Sequence, residues 1–134
     1  EWEKAARGTD GREYPWGNQF DRNRLNNAEF WGGRDDLDWN KWYDAKGYEI
    51  ASTTIVGQFE GGDSQAGLSD MTGNVWEWTN SWIDEKEIYR VLRGGSWNYH
   101  QDYARCAYRY RNFPDYFGST VGFRFLSHGA ISGF

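Results

Sequence analysis

The sequence predicts a single α+β domain over residues 1–134, rich in loops, with a small twisted antiparallel sheet. Three observations predict it. Aromatic residues make up 19% of the chain, nine of them Trp, so large rings are available to pack irregular connections. Seventeen glycines supply the turns. Aliphatic residues are few and scattered in short runs, which disfavours long helices and a large parallel sheet.

Residues 1–8, EWEKAARG, place Trp2, Ala5 and Ala6 on one side of a short helix that Gly8 would stop. Turn signals follow at Asp10-Gly11, Pro15 and Gly17-Asn18. Residues 21–49 are polar but carry Trp31, Trp39, Trp42 and Tyr43. So many rings predict an ordered loop with a short helix, not a disordered linker. Asp35, Asp36 and Asp38 read as a solvated surface, with a cation site as the other reading. β-branched residues 53–56 predict a strand, and residues 60–64 a turn. A tight Gly73-Asn74 turn leads into a strand carrying Val75, Trp76 and Trp78, and another is expected over 88–92. Over 107–111 the alternation puts Tyr108 and Tyr110 on one strand face, and residues 121–126 close the domain as a last strand. Trp76, Trp78, Trp97 and Phe123 are expected in the core, and Gly94-Gly95 marks a positive φ or a close backbone approach.

Composition narrows the function. A net charge of -5 argues against a generic nucleic-acid binder. No apolar run approaches the ~20 residues of a membrane span, so membrane insertion is not expected. Cys106 is the one cysteine, which rules out a disulfide within this chain and a Cys-based zinc site.

The segment that draws functional interest is 90–124. Asn98, Tyr99, His100, Asp102, Tyr103, Tyr108, Tyr110, Asn112, Phe113, Tyr116, Gly118, Ser119 and Thr120 mix large rings with short polar groups. That is the composition of recognition loops, where Tyr gives contact area at low entropy cost and small polar residues adapt their hydrogen bonds. A core segment would not carry so many unpaired polar groups. A coding oddity points the same way. Lys, Glu, Gln, Met and Trp form about a quarter of the rest of the chain, so about six are expected over 98–121, yet only Gln101 occurs. These five residues are the ones whose codons never end in a pyrimidine. Every other residue there can be written by an Asn codon with its two adenines changed, which suggests a history of mutation at adenines.

EWEKAARG, YPWG, GLSDMTGNVWEWTNSW, RVLRGGSW and GFR occur in this order. The chain thereby resembles the formylglycine-generating-enzyme (sulfatase-modifying factor) family, which has a variant of the C-type lectin fold. In that family the equivalent of residues 1–8 lies well inside the domain, so the resemblance implies a missing N-terminal portion. Within the family, residues 90–124 most resemble the variable proteins of diversity-generating retroelements. The frame would be Arg105, Ala107, Arg109, Arg111, Pro114 and Gly122-Phe123-Arg124, and the thirteen residues named above would be the varied, ligand-binding positions.

What the resemblance implies is a non-enzymatic domain that binds a protein or glycan receptor, on a phage tail tip or a cell surface, with oligomerisation left open. The alternative is a formylglycine-generating-type oxidoreductase or an inactive relative. The copper-holding cysteine pair of that enzyme would fall near Tyr99 and Ala104, and neither is Cys. His100 and His128 are too few for the three-His iron site of related sulfoxide synthases. No cofactor is required. A structural Ca²⁺ is implied at Asp70, Gly73, Val75 and Glu77, two carboxylates and two carbonyls being hard oxygen ligands. The other reading pairs Glu77 with an arginine such as Arg93, while Asp70 caps a turn. Arg93, Arg105, Arg109 and Arg111 are expected to brace loops or to meet ligand anions.

Overall fold

Residues 1–126 are described by a computed structural model. The first helix, α1 (Trp2–Arg7), forms where residues 1–8 predict it. Glu3 sits in its first turn and Arg7 in its last, and Gly8 ends it at φ 67°, its N–H donating to the Lys4 carbonyl. Ala6 is buried against Met71 and Cys106, with Trp2, Ala5 and Leu68 packed around them. The polar stretch 21–49 is more regular than expected. It holds a 3₁₀ turn (Arg22–Arg24), α2 (Ala28–Gly32), α3 (Trp39–Asp44) and a second 3₁₀ turn (Gly47–Ile50). Asn27 and Asp38 cap the two helices, accepting from Phe30 N–H and Lys41 N–H. The acidic cluster is divided among separate basic partners: Asp35 with Arg22, Asp36 with Arg34, and Asp38 with Lys41.

The sheet has four strands, β1 (Trp76–Trp82), β2 (Arg90–Arg93), β3 (Tyr110–Asn112) and β4 (Val121–Gly122), in the order β3-β2-β1-β4. β1–β2 and β2–β3 are antiparallel. β4 is the exception to the expected antiparallel sheet: it pairs parallel with β1, Trp76 opposite Val121 and Glu77 opposite Gly122. The reason is topological. Residues 113–120 carry the chain from β3 at one edge to the far side of β1, a crossover rather than a hairpin.

Two expectations are corrected. Residues 53–56 are not a strand, and Ile55 is 81% exposed. The backbone of Thr54 is satisfied by a side chain instead of a ladder, since Asn74 Oδ1 accepts from its N–H and Asn74 Nδ2 donates to its carbonyl. The final strand stops after two residues, and Phe123 is 68% exposed, not core. Alternation explains it, because Arg124 turns inward to Glu77 and Phe123 must then turn outward, where it packs on Phe125. Trp76 is core as expected, whereas Trp78 and Trp97 are half-buried.

A buried polar knot ties the loops to the sheet. Asn26 donates to the Ser52 carbonyl and to Asn74 Oδ1, and accepts from Trp31 Nε1 and from Asn74 N–H. Gly73 passes directly over it at φ 79°, where a Cβ would lie 2.5 Å from the Asn26 carbonyl oxygen. Gly73 N–H donates to the carbonyl of Gly94, itself at φ 94°, where a Cβ would lie 3.1 Å from the Met71 carbonyl oxygen. Gly73 is therefore required by conformation and by space, and Gly94 above all by conformation.

Candidate ligand-binding surface

Segment 98–120 is pinned to one short stretch of scaffold at both ends. At its entry Trp97 N–H donates to the Asn74 carbonyl. At its exit the Thr120 carbonyl accepts from Trp76 N–H, and the Ser119 carbonyl accepts from Trp97 Nε1. Within it, the 3₁₀ turn Gln101–Ala104 sends Ala104 inward, and Cys106 follows; both are buried. None of the thirteen predicted binding residues is buried. Asp102, Phe113, Tyr116, Gly118 and Ser119 are exposed, and the other eight are half-buried.

Five of the thirteen are gathered into one aromatic layer whose floor is Trp76, 1% exposed. Tyr110 stacks on Trp76 with centroids 5.0 Å apart, and Tyr99 and Tyr103 meet it edge-on at 5.7 and 6.1 Å. Tyr108 lies 6.2 Å from Trp76 and 4.9 Å from Tyr103. The shared face predicted for Tyr108 and Tyr110 thus exists, although β3 begins only at Tyr110. Burial raises the Tyr99 phenol well above its ordinary pKa, reinforced by the neighbouring Tyr110 hydroxyl. His100 packs on Tyr103 at 4.6 Å, and loss of water lowers its pKa despite Asp102 Oδ2 at 3.4 Å. Asn112 and Phe113 do not join the layer: Asn112 pairs with Arg90 in the sheet, and Phe113 packs on Tyr89.

Trp39 belongs to this surface and was not predicted as part of it. It stacks on Tyr99 at 6.0 Å and donates from Nε1 to the Asn98 carbonyl, and Tyr43 stacks on it in turn at 5.0 Å. The aromatic surface therefore continues onto α3. The signal was present in the Trp39-Asn-Lys-Trp42-Tyr43 run, whose rings have too few apolar neighbours in sequence to form a core of their own.

Glu29, on α2, anchors the entry of the segment. It is fully buried, accepting from Asn27 Nδ2 at 2.5 Å and from Gln101 N–H at 2.9 Å. Burial raises its pKa from 4.5 to about 7. A carboxyl raised on folding holds its proton more tightly folded than unfolded. Its contribution is fully present below pH 4.5, declines as pH rises, and is lost above about pH 7. Urea unfolding of the wild type should therefore show stability falling by up to roughly 3 kcal/mol across this window, and Glu29→Gln should lack that component. Parallel pH profiles for the two proteins would refute the assignment.

The calcium arrangement does not fit the donors as they lie. Glu77 faces Arg93 across β1–β2, but its carboxylate goes to Arg124 (2.7 and 2.9 Å) and to Trp2 Nε1 (2.6 Å). Arg93 reaches instead to Glu3 and to the carbonyls of Cys106 and Tyr108. Arg124 also donates to the carbonyls of Ser69 and Asp70, so a guanidinium stands among the oxygens a cation would need. Asp70 Oδ2 accepts from Gly57 N–H, and Gly73 and Val75 bring backbone only. Among the described residues no three His, Cys, Asp or Glu side chains are gathered for a metal. His128 lies outside the described residues.

Comparison with known proteins gives the family. The model of the sulfatase-modifying factor enzyme 1-like domain matches residues 1–128. The chain belongs to this family. Among curated relatives of the sulfatase-modifying factor type, the inactive C-alpha-formylglycine-generating enzyme 2 of Bos taurus is 40% identical, over 95% of this chain and 42% of its own length. The formylglycine-generating enzyme of Mus musculus is 34% identical, over 92% and 36%. Among solved structures, Treponema denticola variable protein 1 superposes with a TM-score of 0.65 at 25% identity, covering 92% of this chain and 43% of that one. The chain thus spans less than half the length of these relatives.

Proposed function

We propose that this sulfatase-modifying-factor-like domain binds a protein or glycan receptor through a diversified surface centred on Tyr99, Tyr103, Tyr108 and Tyr110, and that it is not an enzyme. One observation carries the reading. All thirteen positions assigned to variation are at least partly exposed, while Ala104 and Cys106, interleaved with them, are buried. Side chains can then change at the surface without disturbing the fold beneath. The fold shared with Treponema denticola variable protein 1 supports such a scaffold. Affinity would concentrate in the aromatic anchors, with Asn98, His100 and Asp102 at the rim. A phage tail tip or a cell surface is where such a domain would serve.

A formylglycine-generating activity, the one named for the mouse relative, would by the family resemblance call for a cysteine pair. This chain has Cys106 alone, fully buried, its thiol pushed up to about 12 by burial, so it is a poor nucleophile. The deciding experiment is deep sequencing of codons 98–121 and their flanks across a population of the source. Substitutions confined to the thirteen positions, with Arg105, Arg109 and Gly122-Phe123-Arg124 constant, are expected. Variation scattered evenly through the gene would overturn the reading.

A further inference from the structure

Beside the aromatic layer lies a cleft of about 560 Å³ whose walls include Arg7, Arg12, Arg105 and Arg109, together with Glu13 and Tyr108. Four arginines from three separate parts of the chain thus line one cleft: α1, the loop after it, and the frame of the varied segment, with Arg109 also bordering a second cleft. Against them stand Glu13 in the wall and two carboxylates outside it, Glu3 on Arg7 and Asp10 on Arg12. The balance of these seven groups is +1, four positive against three negative, within a chain of net charge -5.

The arginines differ in how far they are committed. Arg7 is held by Glu3 and the Gly11 carbonyl, and Arg12 by Asp10 and the Pro15 carbonyl. Arg105 makes one hydrogen bond, to the Asp102 carbonyl, and its contact with Glu13 is 3.9 Å, beyond hydrogen-bond reach. Among the described residues Arg109 makes one, to the Trp82 carbonyl at 3.3 Å. A guanidinium carries five N–H donors, so among the described residues most of those on Arg105 and Arg109 have no protein acceptor. Their fork geometry suits a carboxylate, sulfate or phosphate group. Tyr108 is shared between this cleft and the aromatic layer, so one ligand can reach both.

We infer that the cleft is an oxyanion subsite: it takes a carboxylate, sulfate or phosphate group carried by a ligand that also covers Tyr108. All four arginines lie outside the thirteen varied positions. The subsite is therefore constant, and variation adjusts the surface next to it. The inference stands on the fixed arginines and does not require that the neighbouring positions vary.

The test titrates the whole chain with sodium sulfate, inorganic phosphate and glucuronate at fixed ionic strength, following arginine side-chain N–H resonances and heat. Saturable binding is expected with dissociation constants on the order of millimolar. Arg105→Gln and Arg109→Gln should each weaken it about tenfold, and Arg111→Gln, an exposed arginine outside the cleft, should leave it unchanged. The order of affinities separates a tetrahedral from a planar oxyanion. Arg105 also braces the Asp102 carbonyl, so if its variant does not fold, Arg109→Gln decides alone. Shifts that do not saturate, or equal binding by the wild type and Arg109→Gln, would overturn the subsite. Such a failure leaves the varied-surface reading standing, and scattered gene variation would leave the oxyanion result standing.

Discussion

Trp76→Ala is expected to destabilise the domain by about 3–5 kcal/mol, a large part of the 5–15 kcal/mol typical of a whole domain. Trp76 is the largest fully buried side chain among the described residues, and the rings of Tyr99, Tyr103, Tyr108 and Tyr110 rest on it. Removing the indole leaves a cavity that β1, fixed on both sides by β2 and β4, cannot close. Trp76→Phe should cost far less, no more than about 1–2 kcal/mol. It retains a ring, and the buried indole Nε1 has no acceptor among the described residues, so losing it removes an unsatisfied donor. The double substitution of Tyr108 and Tyr110 by Ala should leave the chain folded, since both rings are half-exposed and lie above the floor. Urea denaturation of these variants checks the ordering. An unfolded tyrosine double variant would show that the layer is core and not an exposed surface, and a Trp76→Ala protein as stable as wild type would show that Trp76 is not its floor.

Glu77→Ala should also be damaging, by about 2–3 kcal/mol, because it removes a buried carboxylate that pairs with a half-buried guanidinium. The Glu77 carboxylate is 6% exposed at the residue level and satisfies both Arg124 and the Trp2 indole, joining β1 to the end of β4 and to α1. Its loss leaves a guanidinium without its counter-charge and an indole N–H without its acceptor. A double-mutant cycle with Arg124→Ala isolates the pair and should return a coupling of about 2 kcal/mol or more. A coupling under about 0.5 kcal/mol would mean that the pair merely touches and does not fasten β4 to β1.

Much of this arrangement was legible in the sequence, and what was not has physical causes. The helix over residues 1–8, the Gly73-Asn74 turn and the strands carrying Trp76 and Tyr110 rest on local signals: a Gly stop, positive φ at Gly and Asn, and alternation. Exposure along 98–120 was legible because the segment mixes rings with short polar groups, and the structure keeps the thirteen singled-out residues at least partly exposed. The parallel pairing of β4 was not legible, since two residues carry no register signal and their partner lies some 45 positions earlier. Residues 53–56 misled because β-branched residues suit extended chain whether or not a strand pairs with them, and here the Asn74 side chain takes that role. That Glu77 meets an arginine was legible, but that the arginine is Arg124 and not the example Arg93 was not, because cross-strand neighbours need not bond when a longer-range arginine is within reach.

The double anchoring of segment 98–120 on residues 74 and 76 has an entropic consequence. Bringing the ends of a loop together costs an amount that depends on its length, roughly as the logarithm, and hardly on which side chains it carries. Here the ends meet on Asn74 and Trp76, two residues apart in one rigid stretch. Every sequence of the same length written into this loop starts with the same closure penalty, already met by backbone hydrogen bonds that no side chain supplies. Exchanging residues one for one therefore leaves this closure cost almost where it was, and even a modest insertion would shift it by only a fraction of a kcal/mol, ~0.6 kcal/mol for a full doubling of length.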